Sequence, residues 1–488
     1  MTNFPFVPTI KIVTTSERFE LLSKDMDVDA GELAKGEKSL PVMGRELLER
    51  SVGVANGTRT VGENARHWQV QIWRNEEYPG TARAYSPERM NNQYCPGRKP
   101  QPGTADYSDL GSTRISVYNN RKQLGLEKLR LVLPTSLCAS QVAVKITDEL
   151  NMKSKKEKRK ARYVTLPHTE GCGCSSGENQ DYMMASLLLG ALWHPCVQSA
   201  LLIEHGCEKT HNDYFREKFA DEQYTGGFVC EKTSEKILPI KEHLRNVDEY
   251  GWVSLQNDGG IEKATANVKS YFEEQNSDSD ELRDSGILLP SDSSSGELGA
   301  LMCKPFSQLK IGVVTPQEHE NTKFHHEAYV APLLCELAHI LCNEGSLVLS
   351  KEDGVILKTE LAELLDACGG TSSTIPFAGG GRMAPTGVHI MDLPSNGSQV
   401  ERVSGLGCCV DLLLVFGALP AHPLTPTVAV GHQNADIVIS EHAEAGDNLR
   451  ILVEAIATMA ENDSFPKRQY GQGNVGFQVP RGTHGISL

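Results

Sequence analysis

Apolar and polar positions change period along this chain, and the changes predict where strands and helices fall. Leu129 to Pro134 (LRLVLP) reads as a buried strand, and Cys138 to Leu150 then carries apolar side chains at helical spacing, opening near the turn Pro134-Thr135-Ser136. Arg162 to Leu166 reads as a second strand, Asp181 to Leu192 as a helix and Ala200 to Glu204 as a third strand. Strand and helix in alternation predict a parallel sheet with crossover helices. The alternation returns further on, with strands at Leu309 to Val314, Leu347 to Leu349, Gly387 to Met391, Asp411 to Phe416 and Thr427 to Val430. Helical periods fall at Ala331 to Leu341, Leu357 to Ala367 and Asn448 to Glu461. The expected fold class is α/β: two Rossmann-like parallel-sheet domains plus a small N-terminal α/β segment.

In that small segment Thr9 to Thr14 alternates like a strand and Ser16 is placed to cap a short helix. Met43 to Val54 has helical spacing ending near Asn56-Gly57, and His67 to Trp73 is again strand-like. Residues 76–122 are rich in Pro, Gly, Asn, Ser and Tyr and read as a linker or wrapping arm. The divisions expected are therefore 1–75, the arm at 76–122, a first α/β domain at 123–274, an acidic Ser-rich loop at 275–300 expected to be disordered, and a second α/β domain at 301–488. The basic run Lys153 to Arg162 reads as a solvated loop.

At 488 residues the chain exceeds what one core usually holds, and a formal charge of -15 argues against binding a phosphate backbone. No nucleic-acid partner is expected. No apolar stretch approaches the roughly 20 residues of a membrane span and no secretory leader opens the sequence, so no membrane partner and a cytoplasmic location are expected. Thirteen cysteines, an odd number without small-scaffold spacing, are expected to be reduced thiols.

The chemistry-bearing residues follow strands. Leu166 to Cys174 (LPHTEGCGC) and His205-Gly206-Cys207-Glu208 each stand directly behind an apolar run, and Thr135, Ser136 and Cys138 follow the first strand. In a parallel sheet all three groups gather at the carboxyl edge, where ligands sit. Imidazole and thiolate bind borderline metals, and a nearby carboxylate can move a proton. A His-Cys pair after a strand is more often a buried structural pair than a ligand set. Gly379-Gly380-Gly381 stands in no dinucleotide-binding context, which speaks against a Rossmann oxidoreductase.

The ordered stretches Leu131 to Cys138, LPHTEGCGC, His194-Pro195, Gly206-Cys207-Glu208, Leu255 to Gly260 (LQNDGG), Gly387 to Asp392, Glu401 to Gly407 (ERVSGLG) and Phe477 to Gly482 resemble the altronate/galactarate dehydratase family. Pro8 to Lys11 (PTIK), Asp25 to Gly31 (DMDVDAG) and Thr60 to Glu63 resemble a run that in better-known members lies near the C-terminus. Here it comes first, as in a permutation or duplication of a half. A small N-terminal barrel-like domain and a Gly-Gly-Ser-Asp motif after Leu309, both frequent in the family, are not seen in the sequence.

The resemblance implies a hydro-lyase that dehydrates a small anionic sugar acid, an aldonate or aldarate, to a 2-keto-3-deoxy acid. It implies a divalent metal, iron or manganese first, calcium or zinc next. It implies His168 as base or ligand, Glu208 and His389 as further catalytic groups, and Cys172 and Cys207 with His168 as metal ligands. Thr135, Ser136, Cys138, Gly171, Glu401 and Lys11 would bind substrate, Lys11 as an electrostatic clamp if the N-terminal segment closes over the site. His194 reads as a helix-end structural residue, His422 stands in a Pro-rich turn, and Asp25 and Asp27 could be oxygen ligands or helix caps. A homo-oligomer is compatible with all of this. Competing expectations are a sulfo-lyase on a sulfonated hydroxy acid, a structural zinc site from Cys172, Cys174, Cys207 and His168, and a non-catalytic binding protein of the same fold.

Overall fold

The computed structural model describes residues 7–66, 129–159, 161–170, 178–192, 194, 196–221, 250–277, 309–315, 330, 333–334, 336–338, 345–350, 374–375, 387–391, 399–416, 421–431, 435–440, 443–461, 464–466, 477 and 479. The arm at 76–122, the strand expected at His67 to Trp73, the helix expected at Leu357 to Ala367 and nearly all of the acidic loop lie outside them. The part of that loop that is described, up to Ser277, ends a helix instead.

A four-stranded sheet forms from β3 (Leu129–Pro134), β4 (Arg162–Thr165), β5 (Val197–Glu204) and β6 (Gly251–Ser254), in the order β4-β3-β5-β6 and parallel throughout. Helices α5 (Leu137–Lys156), α6 (Glu178–Leu192), α7 (Asn212–Ala220) and α8 (Ile261–Ser277) lie between and after its strands. Every residue of β3 is buried, because helices cover both faces of the sheet; a near-continuous apolar run is what such a strand requires, and the one charged residue, Arg130, donates to Tyr163 Oη. Leu131 and Leu133 meet the α6 face while Val132 meets the α5 and α8 face, the alternation a pleated strand imposes. Each fully buried leucine stabilises the fold by roughly 1.5–3 kcal/mol.

The basic run is not a loop at its start. Lys153, Lys155 and Lys156 form the last turn of α5, where cations suit the negative end of the helix dipole, and Lys153 pairs with Glu273 of α8.

The second sheet runs β13-β12-β11-β7-β8-β10-β9, also all parallel. Its strands are β7 (Leu309–Val314), β8 (Gly345–Ser350), β9 (Thr374–Ile375), β10 (Gly387–Met391), β11 (Leu412–Phe416), β12 (Thr427–Gly431) and β13 (Ile437–Val438). Helix α9 (Gln399–Cys409) packs on α6, and one apolar cluster takes in Leu131 and Leu188 from the first unit with Val403, Leu406 and Val415 from the second. Helix α10 (Ala445–Glu461) closes the far face with Leu449, Leu452 and Ile456.

The N-terminal segment holds β1 (Ile12–Val13) and β2 (Val28–Asp29), paired in parallel, with α1 (Ser16–Leu21), α2 (Gly31–Ala34), α3 (Leu40–Ala55) and α4 (Val61–Ala65). Ser16 is the first helical residue and not the cap; Thr15 holds the cap position. The capping box is at Thr60, whose hydroxyl accepts from Glu63 N while the Glu63 carboxylate accepts from Thr60 N.

Candidate functional site at the carboxyl edge of the first sheet

The strand order reverses between β3 and β5, since β4 lies on one side of β3 and β5 and β6 on the other. Loops leaving two such strands diverge and open the crevice where parallel sheets bind ligands. The loops here are Thr135-Ser136 and His205 to Glu208. The segment Leu166 to Glu170 follows β4, and Leu255 to Gly260 follows β6. All described parts of the polar motifs thus meet at one edge.

Glu208 organises the edge. Its Oε1 accepts from Thr135 Oγ1 at 2.7 Å and His205 N at 2.8 Å, and its Oε2 accepts from Gly206 N at 2.7 Å and Cys207 N at 2.9 Å. A carboxylate has about four lone-pair sites, and the donors around Glu208 are at least that many. Burial alone would raise this carboxyl, which is 2% exposed, but the bonds from its own amide, Thr135, His205 and Gly206 hold it below the usual carboxylate value. The loop can close this way because Gly206 takes a φ of 110°, a left-handed conformation costly to residues with a Cβ. Glu208, expected to move protons, is held here by these donors.

His168 is also enclosed. It is 4% exposed, its Nε2 lies 3.0 Å from the carbonyl of Pro134, and its Nδ1 accepts from Glu170 N at 3.3 Å. A carbonyl accepts only, so the proton sits on Nε2. Burial pushes the imidazole down to about 4, against smaller raising effects from Pro134, Glu208 and Glu170. In this arrangement His168 is a neutral pin between the loops after β3 and β4. Both ring nitrogens, of which a base or ligand role was expected, meet main-chain groups of these loops.

The start of α5, expected to bind a carboxylate, is closed as well. Leu137 N donates to Glu170 O at 2.7 Å, Ala139 N to Ser136 Oγ at 3.3 Å and Ser140 N to Ser136 O at 2.9 Å. Thr135, Ser136 and Cys138 are buried. The Ser136 hydroxyl caps the helix and the Thr135 hydroxyl holds Glu208. Gly171 and Cys172, and Cys174 with them, lie outside the described residues.

His205 and Cys207 remain. His205 Nδ1 lies 3.0 Å from Cys207 Sγ and 3.3 Å from Gln256 Nε2, while its Nε2 is buried without a hydrogen-bond partner. Cys207 is exposed and Cys138, Cys196, Cys408 and Cys409 are buried, and none of these five is in a disulfide. The donor atoms of His205, Cys207 and Glu208 lie within 4.8 Å of one another, a grouping compatible with a metal ion. The occupied lone pairs of Glu208 remove it from that set. One nitrogen and one sulfur fit iron or zinc and do not fit calcium, which takes six or more oxygens. The sequence placed His205 in this cluster but named Cys207 and not His205 as a ligand; the contact of His205 with Gln256 is visible only once β5 and β6 are seen to be neighbours.

The N-terminal segment docks against the same edge. Asp25 Oδ2 accepts from Ile261 N at 2.9 Å, capping α8 from a segment 236 residues away, and Arg18 Nη1 donates to the Gln256 carbonyl at 3.0 Å. Asp27 accepts from Lys11 N and Val61 N and pairs with Arg50 at 2.7 Å. The aspartates therefore cap and anchor. Lys11 interacts electrostatically with both of them, and burial lowers its ammonium pKa in spite of their charge.

His389 (β10) and Glu401 (α9) are buried in the second unit, with His389 in register with Val348 of β8. His194 and His422 belong to a buried network between the units. His194 Nε2 lies 2.8 Å from Thr425 Oγ1, which donates to the Gly407 carbonyl, and His422 Nδ1 accepts from Leu424 N and Thr425 N at 3.2 and 3.1 Å. No helix among the described residues is long and apolar enough to cross a membrane.

A solved structure described as a UDP-N-acetylglucosamine 2-epimerase from Listeria monocytogenes aligns with 70% of this chain and 93% of its own, at 8% identity and a TM-score of 0.20, a likeness too low to carry an argument. No curated protein matches the chain. The family model for the C-terminal part of D-galactarate/altronate dehydratase matches residues 1–78, and that for the second domain of D-galactarate dehydratase/altronate hydrolase matches residues 119–275. These are the two pieces that Asp25 and Arg18 join at the sheet edge. In these two stretches, with the C-terminal type first, the chain matches the D-galactarate/altronate dehydratase family.

Proposed function

We propose that this protein is a metal-dependent hydro-lyase that converts an aldonate or aldarate to its 2-keto-3-deoxy acid at the carboxyl edge of the first sheet. The observation that carries the proposal is the coincidence of both family matches with the two docked pieces whose polar loops line that edge. In the reaction the proton on C2, next to the carboxylate, is removed and the C3 hydroxyl leaves as water. The enol left behind takes a solvent proton at C3 and becomes the ketone.

The difficulty is the charge that develops on the carboxylate when the C2 proton goes, and fixed positive groups lower that barrier most. Lys11 is proposed to supply one, as the half-buried cation of the docked segment. His205 and Cys207 are proposed to hold a divalent ion, iron or zinc, which when bound would supply further positive charge at the substrate oxygens. Glu208, Thr135 and His168 are proposed to keep these groups in place and to touch no substrate.

The test is turnover by purified protein, stripped of metal and reloaded with iron, zinc, manganese or calcium, on a panel of aldonates, aldarates and sulfolactate. A 2-keto acid formed without sulfite supports the proposal, and sulfite release would move it to the sulfo-lyase alternative. A folded protein inactive with every pairing would favour a binding role.

A further inference from the structure

The segment that precedes the first sheet is held by few apolar contacts: among its described residues Leu22 and Met43 are the large apolar side chains that are buried. Its polar contacts to the sheet unit concentrate on one loop. Arg18 Nη1 donates to Gln256 O at 3.0 Å and reaches Asn257 Oδ1 at 3.4 Å, Asp25 caps Ile261, and Lys24 pairs with Glu262. Gly260, with φ 92°, brings the loop so close that a Cβ there would stand 2.3 Å from Asp25 Oδ2.

The other side of this loop faces His205. Gln256 N donates to the His205 carbonyl at 3.1 Å, and the Gln256 side-chain amide lies 3.3 Å from His205 Nδ1. The Gln256 side chain also lies where a Cβ on Gly206 would be, at 3.3 Å. One residue is thus gripped by Arg18 through its carbonyl and touches the His205–Cys207 pair through its amide.

We propose that Arg18 is a positioning residue of the site: by holding the Gln256 main chain it sets the Gln256 amide against His205, so that the N-terminal segment aligns the His205–Cys207 pair and does not merely cover it. This rests on the function proposed above for that pair. A polar clip of this kind costs little stability when cut, since exposed contacts contribute little, but a shift of about 1 Å at a reacting group can change rates by about 100-fold.

The test compares Arg18→Ala, Arg18→Lys, Gln256→Ala and the double variant in the full chain, with Lys24→Ala as a control on the same docked face. Expected is a kcat loss of about 10-fold for Arg18→Ala with KM within about twofold, partial rescue by Arg18→Lys, and no further loss when Gln256→Ala is added. Lys24→Ala should match wild type. Cys207 alkylation by iodoacetamide, mapped by peptide at one pH, reads the same geometry without turnover: Arg18→Ala and Gln256→Ala should change its rate alike, by about threefold or more. If wild type is inactive on every acid but the alkylation rates shift as stated, the function is wrong and the positioning stands. Additive losses, or an Arg18→Ala variant indistinguishable from Lys24→Ala in both readouts, overturn the positioning.

Discussion

Thr135 Oγ1 donates to Glu208 Oε1 at 2.7 Å across the point where the strand order of the first sheet reverses. This bond ties the loop after β3 to the loop after β5, and the backbone amides of His205, Gly206 and Cys207 complete the carboxylate's shell. Everything else at the edge is arranged around it.

Glu208→Gln should therefore destabilise the protein, because an amide has one accepting oxygen and would turn an NH2 group toward backbone donors. Hydrogen bonds to charged groups contribute about 1.5–3 kcal/mol each, so a loss of about 2–4 kcal/mol is expected in denaturant unfolding. A change below about 0.5 kcal/mol would mean the shell is not formed in solution.

His168 predicts an acid sensitivity. Its folded value of about 4 lies below the ordinary 6.5, so between those limits the unfolded chain binds the proton and the folded one does not. Stability from this group is complete above about pH 6.5 and falls as pH drops toward 4, by on the order of 3 kcal/mol in all. His168→Gln keeps an amide donor for Pro134 and cannot titrate. Melting temperatures of the two proteins should diverge in slope between pH 6.5 and 4.5, with wild type the steeper, and the variant should keep turnover within about 10-fold. Parallel slopes, or abolished turnover in a folded variant, would restore His168 as the working base.

Thr425→Val removes the hydroxyl that bridges His194 to the Gly407 carbonyl, leaving two buried groups without this partner. A cost of about 1–3 kcal/mol is expected, with no change in Cys207 alkylation, since the network lies between the units and not at the edge. Stability unchanged within error would show that the bridge contributes nothing.

Asp25→Ala should loosen the N-terminal segment at a cost of about 1 kcal/mol, the usual contribution of a helix cap. Hydrogen exchange would show faster labelling in residues 16–34 and in the first turn of α8, while β3 and β5 stay protected. Exchange confined to α8 would mean the segment is held by other contacts.

Much of the fold was legible because largely apolar strands announce themselves. Leu129 to Pro134 and Gly387 to Met391 fall where the sequence places them. Gly251–Ser254 escaped, being four residues with a glycine and a serine, and so did the short α7 and the polar-rich α8. The gathering of the Thr135, His168 and His205 to Glu208 segments at one sheet edge was legible because each follows a strand. Their hydrogen-bond partners were not, because they depend on which lone pairs are taken. The partner that fixes His168 lies 34 residues away and the hydroxyl that holds Glu208 lies 73 residues away, distances at which local pattern carries no information.

The most direct measurement of the central claim is to run the metal-reloaded protein on its best acid in deuterated water and locate the label in the product. The hydro-lyase account predicts a 2-keto-3-deoxy acid with one solvent deuterium at C3, in wild type and not in Cys207→Ser. A keto acid without solvent label at C3, or full turnover by Cys207→Ser, would contradict it.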